Sequence, residues 1–407
     1  MRLRGRGRSA SSAVDADAPR RELVVHVGLP KTATTTIQTL LSWFAEDIER
    51  AGVACRSFEG HAAHHVLADQ LLRLDGGGFP EMFHHSPRHL DECWPEWGGA
   101  ARMVISAEDL CDIGPNGVAA IDAFAERNDA SITVVATLRA PIDWSWSMWT
   151  EHTKSRPVDW IDFVEELAER RRGVAGAMVA EWSVAPRFRS MRFLDFHVVD
   201  PVSDFLDRCV TPGVVTPEVL SRVQENIGVG VLEAMYRALY VGAVLDALAA
   251  DERLSGIDPD GGLVPRLLLN ATAWSSPMSE TARAFAPMVE TLAGRPSSPF
   301  GPDSLPALRR HVAVVADDAA GLAADDAAPL DDHSRKVLQR HADRARADVI
   351  ELDDAGPLAD RFPQRDFAAR LPVDARFHEA VEQAVALLAA GVAVVDRTHR
   401  TALERRR

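Results

Sequence analysis

One short segment of the chain concentrates residues that bind anions. The segment HVGLPKTATTTIQ contains Gly28, Lys31 and threonines at Thr32 and Thr34–Thr36. It follows the apolar run ELVVHV and precedes apolar residues at helical spacing, so a strand is expected to turn into a helix here. Free backbone N–H groups and the positive end of the helix dipole favour an anion at such a junction. Because a lysine and several hydroxyl donors lie in the same turn, the segment predicts a phosphate-binding loop.

The order of these residues differs from that of a nucleoside-triphosphate loop. The Walker pattern GxxxxGK[ST] places its lysine after the second glycine, whereas Lys31 comes three residues after Gly28. Only three of the 45 basic residues are lysines. A compact ammonium group suits a crowded phosphate better than a planar guanidinium does. The presence of one of the few lysines in this turn therefore favours an anion site. The order of the residues indicates that this site is not a Walker loop.

A second cationic position follows another predicted strand. In TLRAPIDWSWSMW, Arg139 stands at the end of the strand. We expect Asp143 to cap the following helix, with Ser147 about one turn into it. Open α/β sheets bind ligands at the carboxyl ends of their strands. Arg139 and Ser147 are therefore expected at the same edge as the lysine loop, and two anion sites there suit a ligand with two separated phosphates.

The elements that position these residues alternate between strand and helix. The helix after the loop is expected to run from Thr36 to Gly52, and another helix is expected at 117–128. The predicted strands are residues 22–28, 52–58, 101–110, 131–140 and 191–199. This alternation indicates the α/β fold class, with a parallel β-sheet flanked by helices on both faces.

Three regions are expected along the chain. Residues 1–21 form a basic tail that is expected to be disordered, 22–370 form the α/β domain, and 371–407 form a helical extension. From about residue 215 the sequence changes to alanine- and leucine-rich helical segments. This helical half is either a separate domain or, as we favour, packs around the sheet or closes over the substrate.

Composition limits the classes of partner. A formal net charge of −15 argues against non-specific nucleic-acid binding, which needs a basic surface. The four cysteines form no CxxC pair, which is typical of a reducing compartment without a zinc framework. The basic N-terminal segment lacks the apolar core of a signal peptide, and no apolar run in the chain approaches the length of a membrane span. We therefore expect a cytoplasmic protein with neither nucleic-acid nor membrane partners, and the sequence leaves its oligomeric state open.

The chain resembles the sulfotransferase family that uses 3′-phosphoadenosine 5′-phosphosulfate (PAPS), and within it bacterial sulfotransferase-like proteins. The 5′-phosphosulfate loop of that family reads PKxGTT, which PKTATT at Pro30–Thr35 is similar to. The family's 3′-phosphate site is an arginine followed eight residues later by a serine, as Arg139 and Ser147 are. The segments SAE, EHTKS, EWSVAPRFRSMRFLDF and ENIG extend the resemblance, which covers about residues 22–240 and is diffuse to about 370.

The resemblance implies transfer of a sulfuryl group from PAPS to a hydroxyl or amine of a small-molecule or glycan acceptor, which leaves the product 3′-phosphoadenosine 5′-phosphate (PAP). Lys31 would contact the 5′-phosphate and the bridging oxygen. Arg139 and Ser147 would hold the 3′-phosphate. The family needs no metal. The remaining nucleotide contacts implied in the loop are Pro30, Thr32, Ala33, Thr34, Thr35 and Thr36.

Two loop positions depart from the family pattern. Ala33 stands where the family usually has glycine, and alanine is strained there if the position requires a positive φ. Thr36 stands where cytosolic members have a tryptophan that stacks on adenine. The RKGxxGDWKN segment of those members is also absent, so this chain must hold adenine in another way.

The acceptor needs a general base within hydrogen-bond reach of its proton. Glu108 is our first choice, because it stands at the end of the third predicted strand, and cytosolic sulfotransferases place their catalytic histidine at the equivalent strand end. A carboxylate that begins the next helix is an equally good interpretation of Glu108. His64 and His65 follow the second predicted strand and remain alternatives, although surface or core histidines are commoner.

Several tryptophans lie beside Ser147 and suit either an apolar acceptor or, as we favour, core packing. They are Trp144, Trp146 and Trp149.

Two other functions remain open at this stage. A small-molecule kinase is disfavoured by the missing GK[ST] order and by the lack of an evident Mg²⁺-binding aspartate after a strand. A nucleotide-binding module without turnover is the second alternative, and the alanine at position 33 keeps it open.

Overall fold

The structure is a computed structural model that describes residues 21–57, 63–77, 89–152, 160–197, 200–210, 212–213 and 304–353. The predicted N-terminal tail (apart from its last residue), the ENIG segment, the end of EHTKS and the predicted C-terminal extension lie outside these residues.

Five parallel strands form one sheet in the order β2-β3-β1-β4-β5. Their bounds are β1 Arg21–Gly28, β2 Val53–Ala54, β3 Arg102–Ser106, β4 Ala130–Leu138 and β5 Phe188–Asp195. All nine residues of β4 are buried, as expected for an inner strand of a parallel sheet that is covered on both faces. The α/β prediction is confirmed, but β2 is shorter than expected, since only two of its residues pair with β3.

Helices cover both faces of the sheet. In chain order they are α1 Thr34–Trp43, α2 Ala45–Arg50, α3 His65–Arg73, α4 Leu90–Cys93, α5 Pro115–Arg127, α6 Pro141–His152, α7 Trp160–Glu169, α8 Ala175–Trp182, α9 Pro201–Phe205, α10 Ser304–Ala324 and α11 Asp332–Asp353. A 3₁₀ turn at Glu108–Asp112 follows β3, and a π turn at Leu206–Val210 follows α9. Side chains alternate along β1, so Val25 joins the core shared with α3 and α5 to α8, while Val24 joins the core shared with α1, α2 and α9.

Three local predictions were wrong. The third strand does not reach residue 110, because β3 ends at Ser106 and Glu108–Asp112 form the 3₁₀ turn. The helix after the lysine loop is not continuous to Gly52, because Phe44 adopts φ −105° and ψ 16° and separates α1 from α2. Asp143 does not cap α6 from outside, because the helix already begins at Pro141 and Asp143 lies in its first turn. Proline suits that first position, since its missing N–H has no intrahelical partner there in any case.

The described part of the helical half packs against the edge of the sheet. The backbone N–H of Met191 donates to the Pro329 carbonyl (2.9 Å), and that of Phe193 donates to Ser334 Oγ (3.0 Å). These contacts cover the exposed edge of β5, which limits its pairing with other chains. Packing around the sheet is thus observed for 304–353, and the predicted domain boundaries at 370 and 371 fall outside the described residues.

The strand order decides which loops become neighbours. Because β1 lies between β3 and β4 and all strands run parallel, the loops after these three strands emerge side by side. These loops carry Lys31, Glu108 and Arg139, so residues far apart in sequence meet at one edge of the sheet. Within the described ranges, no helix is long and apolar enough to cross a membrane.

Candidate active site

The lysine loop holds three residues in left-handed backbone conformations. Gly28 has φ +96°, and a Cβ atom built there would lie 3.0 Å from the Pro30 nitrogen. Lys31 and Ala33 have φ 64° and 69°. The position where the sulfotransferase pattern has glycine therefore does adopt a positive φ, and this chain places alanine there against the usual preference of L-residues.

Replacing Ala33 by glycine is therefore expected to stabilise the protein. Glycine removes the steric cost of the left-handed conformation, with a net gain of about 1 kcal/mol in the free energy of unfolding. Urea denaturation measures this change. Ala119→Gly, at an exposed position inside α5, is the matched control and should instead lower stability by about 1 kcal/mol. A loss of stability in both variants would contradict the assigned loop conformation.

The N-terminus of α1 is open to an anion. Its N-cap residue Ala33 has no capping side chain, and its first turn contains no acidic residue. The first intrahelical hydrogen bond runs from the Ile37 N–H to the Ala33 carbonyl (3.0 Å), so the N–H groups of Thr34–Thr36 have no partner within the helix. Together with the positive end of the helix dipole, they provide donors for a phosphate group.

The loop threonines divide into two groups. The buried hydroxyls of Thr32 and Thr34 both donate to the Leu29 carbonyl, the latter at 3.1 Å. Thr35 is exposed, and Thr36 is half-buried. The side chains of Thr32 and Thr34 therefore fix the loop conformation. These two residues can bind an anion only through their backbone N–H groups.

Helix α6 and the end of β4 hold the loop from the other side. The indole N–H of Trp144 donates to the Pro30 carbonyl (3.0 Å), and Arg139 Nη1 donates to the Lys31 carbonyl (3.2 Å). The sequence grouped Trp144 with the core aromatics and did not reveal this role. The structure thus brings the two predicted cationic residues into direct contact, because the Arg139 side chain donates to the Lys31 backbone.

Lys31 forms an ion pair with Glu151, which the sequence analysis did not single out. The two side chains are 27% and 34% exposed, and partly exposed ion pairs contribute little net stability. An incoming phosphate therefore competes readily for the ammonium group. Glu151 lies four residues after Ser147, and this helical spacing places both residues on one face of α6. The spacing was the one feature of the sequence that could have identified Glu151 as a residue of the site.

Arg139 is held by the residues that follow β5. Its guanidinium lies 4.8 Å from the ring centroid of Phe196, and the backbone N–H of the next residue, Ala140, donates to His197 Nε2 (2.9 Å). Burial lowers the pKa of Arg139, while nearby Asp143 opposes this effect. Its Nε is buried and has no hydrogen-bond partner among the described residues.

Helix α11 fixes the same end of β5. Arg344 donates from both terminal nitrogens to the buried Asp195 carboxylate (2.8 and 3.0 Å), and Arg340 Nε adds a third bond (2.9 Å). The backbone N–H of His197 also donates to Asp195 Oδ1 (3.0 Å). Burial, and then the charge of Arg344, lower the pKa of His197, so its imidazole stays neutral and able to accept the Ala140 N–H bond.

Ser147 lies half-buried on α6, and its carbonyl accepts a hydrogen bond from Thr150 Oγ1 (2.9 Å). Within the described part of the chain, no hydrogen bond joins Ser147 to Arg139. The predicted arginine–serine pair therefore shares the β4–α6 junction without direct contact.

A cavity of about 510 Å³ opens beside the loop. It is lined by Leu29–Lys31, by Glu108 and its 3₁₀ turn, and by residues of α6 and α8. Burial and the neighbouring Asp109 raise the pKa of Glu108, and the charge of Lys31 opposes this shift. A half-buried carboxylate with a raised pKa, placed in the same cavity as the loop lysine, has the properties of a general base.

The two histidine alternatives, His64 and His65, do not line this cavity, although His65 contacts Asp109, which does. His65 Nδ1 is 3.1 Å from Asp109 Oδ2 in a partly exposed pair. His64 is buried, and its Nδ1 accepts the Ser106 N–H bond (3.2 Å). Neither residue is among those that line the cavity, whereas Glu108 is.

The remaining tryptophans pack in the protein core. Trp146 and Trp149 are buried against Trp160, with ring centroids 6.0 and 5.4 Å from it. Core packing, the interpretation favoured for these two residues, agrees with this arrangement.

Comparisons with protein-family models, with curated proteins and with solved structures found no match for this chain. Among the described residues, no group of three or more histidine, cysteine, aspartate or glutamate side chains is arranged to hold a metal ion.

Proposed function

We propose that this chain transfers a sulfuryl group from PAPS to a hydroxyl or amine of a small-molecule or glycan acceptor. The observation that carries the proposal is the juxtaposition at one edge of the sheet. Lys31 and the uncapped N-terminus of α1 provide one anion position, and Arg139 on the neighbouring strand provides another. A donor with separate 5′-phosphosulfate and 3′-phosphate groups fits two such positions.

In this reaction the acceptor oxygen or nitrogen forms a bond to sulfur, while the bond between sulfur and the bridging oxygen breaks. PAP leaves with that electron pair. Lys31 stabilises the negative charge that develops on the bridging oxygen, and the N–H groups of Thr34–Thr36 hold the 5′-phosphate. Glu108 takes the acceptor proton. Positioning and electrostatic stabilisation supply most of the rate enhancement, because the protein forms no covalent intermediate.

Arg139 is suited to the 3′-phosphate because three independent groups fix it. Its Nη1 bonds the Lys31 carbonyl, its face stacks on Phe196, and the adjacent backbone is held by His197. A planar guanidinium held in this way recognises a phosphate through charge-assisted hydrogen bonds. The four free cysteines support our placement of this activity in the reducing cytoplasm.

A nucleotide panel tests the proposal. PAP is expected to raise the melting temperature of the protein, whereas ATP and GTP leave it nearly unchanged, since only a ligand that binds the native state stabilises it. Stabilisation by ATP with Mg²⁺ and not by PAP would support a kinase. PAP binding without transfer from PAPS to any acceptor would support a binding module.

Arg139→Ala extends this test to the 3′-phosphate. The affinity for PAP is expected to fall about 10- to 100-fold, as for the loss of a charged hydrogen bond. The affinity for adenosine 5′-phosphosulfate, which lacks the 3′-phosphate, should change little. Equal losses for both nucleotides, measured by calorimetry, would show that Arg139 only supports the fold.

A further inference from the structure

The cavity beside the lysine loop has an uneven pattern of charge pairing. Each of the four lysine and arginine residues in its lining has a carboxylate within ion-pair distance. These pairs are Lys31–Glu151, Arg170–Glu166, Arg171–Asp318 and Arg172–Asp112. Each of these cations therefore already has a carboxylate partner within the protein.

Two carboxylates of the lining lack such a partner. Among the described residues, neither Glu108 nor Glu181 has a cation within ion-pair distance or a hydrogen-bond donor to its side chain. Both are half-buried. The two carboxylates have different charged neighbours. The pKa of Glu108, next to the lysine loop, is raised by burial and by Asp109 and lowered by Lys31. The pKa of Glu181, on α8, is raised by burial and by two carboxylates, Asp112 and Asp75.

The surroundings of Glu181 favour a positive group. Burial first, and then the negative charges of Asp112 and Asp75, raise its pKa to about 7. Asp112 pairs with Arg172 (2.6 Å), and Asp75 accepts hydrogen bonds from the Asn116 and Gly117 backbone, so the cation and donors near these two carboxylates are already engaged. No described group therefore compensates Glu181 itself, and a half-buried carboxylate in this position is stabilised by a cation.

The wall between these carboxylates is apolar. Trp144 and Met148 of α6 and Met178 of α8 contribute to it. The volume of about 510 Å³ lies within the range of small-molecule sites, which combine apolar walls with a few placed polar groups. The cavity thus suits a carbon skeleton with a reacting group at one end and a charge at the other.

We propose that this cavity is the acceptor site and that it selects acceptors carrying a protonated amine, which Glu181 binds while the acceptor hydroxyl faces Glu108 and Lys31. The assignment of the reacting end rests on the proposed function. The amine preference rests on the Glu181 carboxylate, which has no cationic partner among the described residues, and on the carboxylate partners that the arginines of the lining already have.

Pairs of ligands in which the amine is either free or acetylated test this preference, and the Glu181→Gln variant separates the effect of charge from that of the added acetyl group. We would titrate tyramine against N-acetyltyramine, and 5-aminopentan-1-ol against its N-acetyl derivative, into the protein with and without saturating PAP. At pH 8 at least one amine should bind about tenfold or more tightly than its acetylated partner, as for a charged hydrogen bond. The preference should shrink at pH 6, because Glu181 is then mostly protonated.

Glu181→Gln should abolish the amine preference and leave the affinity for the acetylated compounds within about twofold of the wild type. Glu165→Gln, which removes an exposed carboxylate of α7 outside the cavity lining, is the control and should retain it. The inference is overturned if no amine binds more tightly than its acetylated partner, or if Glu181→Gln retains the preference. Loss of the preference at pH 6 in the wild-type protein provides a second readout that does not depend on how the variant folds.

The two proposals fail in different ways. If PAP does not bind but the amine preference is present, the proposed function fails and the cation site stands. If PAP binds and no amine is preferred, the donor site stands and the acceptor class is wrong.

Discussion

Lys31→Ala is expected to abolish sulfuryl transfer and to weaken PAP binding about 30- to 1000-fold, which corresponds to about 2–4 kcal/mol. The lysine provides the mobile positive charge of a loop whose other donors are backbone N–H groups and hydroxyls. Its removal leaves the charge on the departing oxygen without its nearest counter-charge. Single-turnover kinetics with PAPS and calorimetric titration with PAP measure the two effects.

Because Lys31 is paired with Glu151, the Lys31→Ala experiment needs a control variant at Glu151. In Lys31→Ala the uncovered Glu151 carboxylate could itself repel the donor, so the double variant Lys31→Ala/Glu151→Ala separates repulsion from loss of the lysine. We expect the double variant to remain inactive, whereas Glu151→Gln alone retains PAP binding, since the pair is partly exposed and contributes little. Near-normal turnover of Lys31→Ala would show that the loop does not bind the phosphosulfate.

The parts of this site that depend on local pattern were predictable from the sequence. The strand–loop–helix around Lys31 is encoded by consecutive residues, namely an apolar run, a glycine turn and helical periodicity. The end of β4 at Arg139 is marked in the same way. Parallel alternation of strands and helices then places both at the same edge of the sheet, which the order β2-β3-β1-β4-β5 confirms.

The contacts that hold these residues in place were not predictable from such patterns. The Trp144 bond to the Pro30 carbonyl joins residues 114 positions apart, and the Arg344 pair with Asp195 joins residues 149 apart. No local periodicity encodes these partners, because they arise only when α6 and α11 pack on the sheet. The same holds for the proposed role of Glu181, because the nearby arginines pair with carboxylates that are distant in sequence, Arg171 with Asp318 and Arg172 with Asp112.

The left-handed conformation of Ala33 illustrates a conflict between local preference and global fold. Backbone propensity alone favours glycine at φ 69°. From the sequence it could be said only that alanine would be strained if position 33 had a positive φ. The hydrogen bonds that Thr32 and Thr34 donate to the Leu29 carbonyl, together with the anchoring of the loop by α6, oppose that local preference. Such strain is concentrated at functional sites, where the surrounding structure holds it.

Glu108→Gln is expected to reduce transfer by about 10²–10⁴-fold while PAP affinity stays within a few-fold of the wild type. The amide keeps the size of the side chain but cannot accept the acceptor's proton. The pH–rate profile gives an independent readout. Since burial and Asp109 raise the pKa of Glu108, the wild-type rate should fall as the pH drops through a value above the usual carboxyl range, and this acid limb should vanish in Glu108→Gln.

His65→Gln is the matched test of the rival base. His65 is paired with Asp109 and lies outside the cavity lining, so its replacement should lower the rate only modestly and leave the acid limb in place. If instead His65→Gln were inactive with intact PAP binding while Glu108→Gln retained turnover, the histidine would be the base. The two outcomes are distinguishable because Glu108 lines the same cavity as Lys31, whereas His65 is not among its lining residues. Proton removal at the loop end of the cavity therefore predicts that only the glutamate variant loses the acid limb.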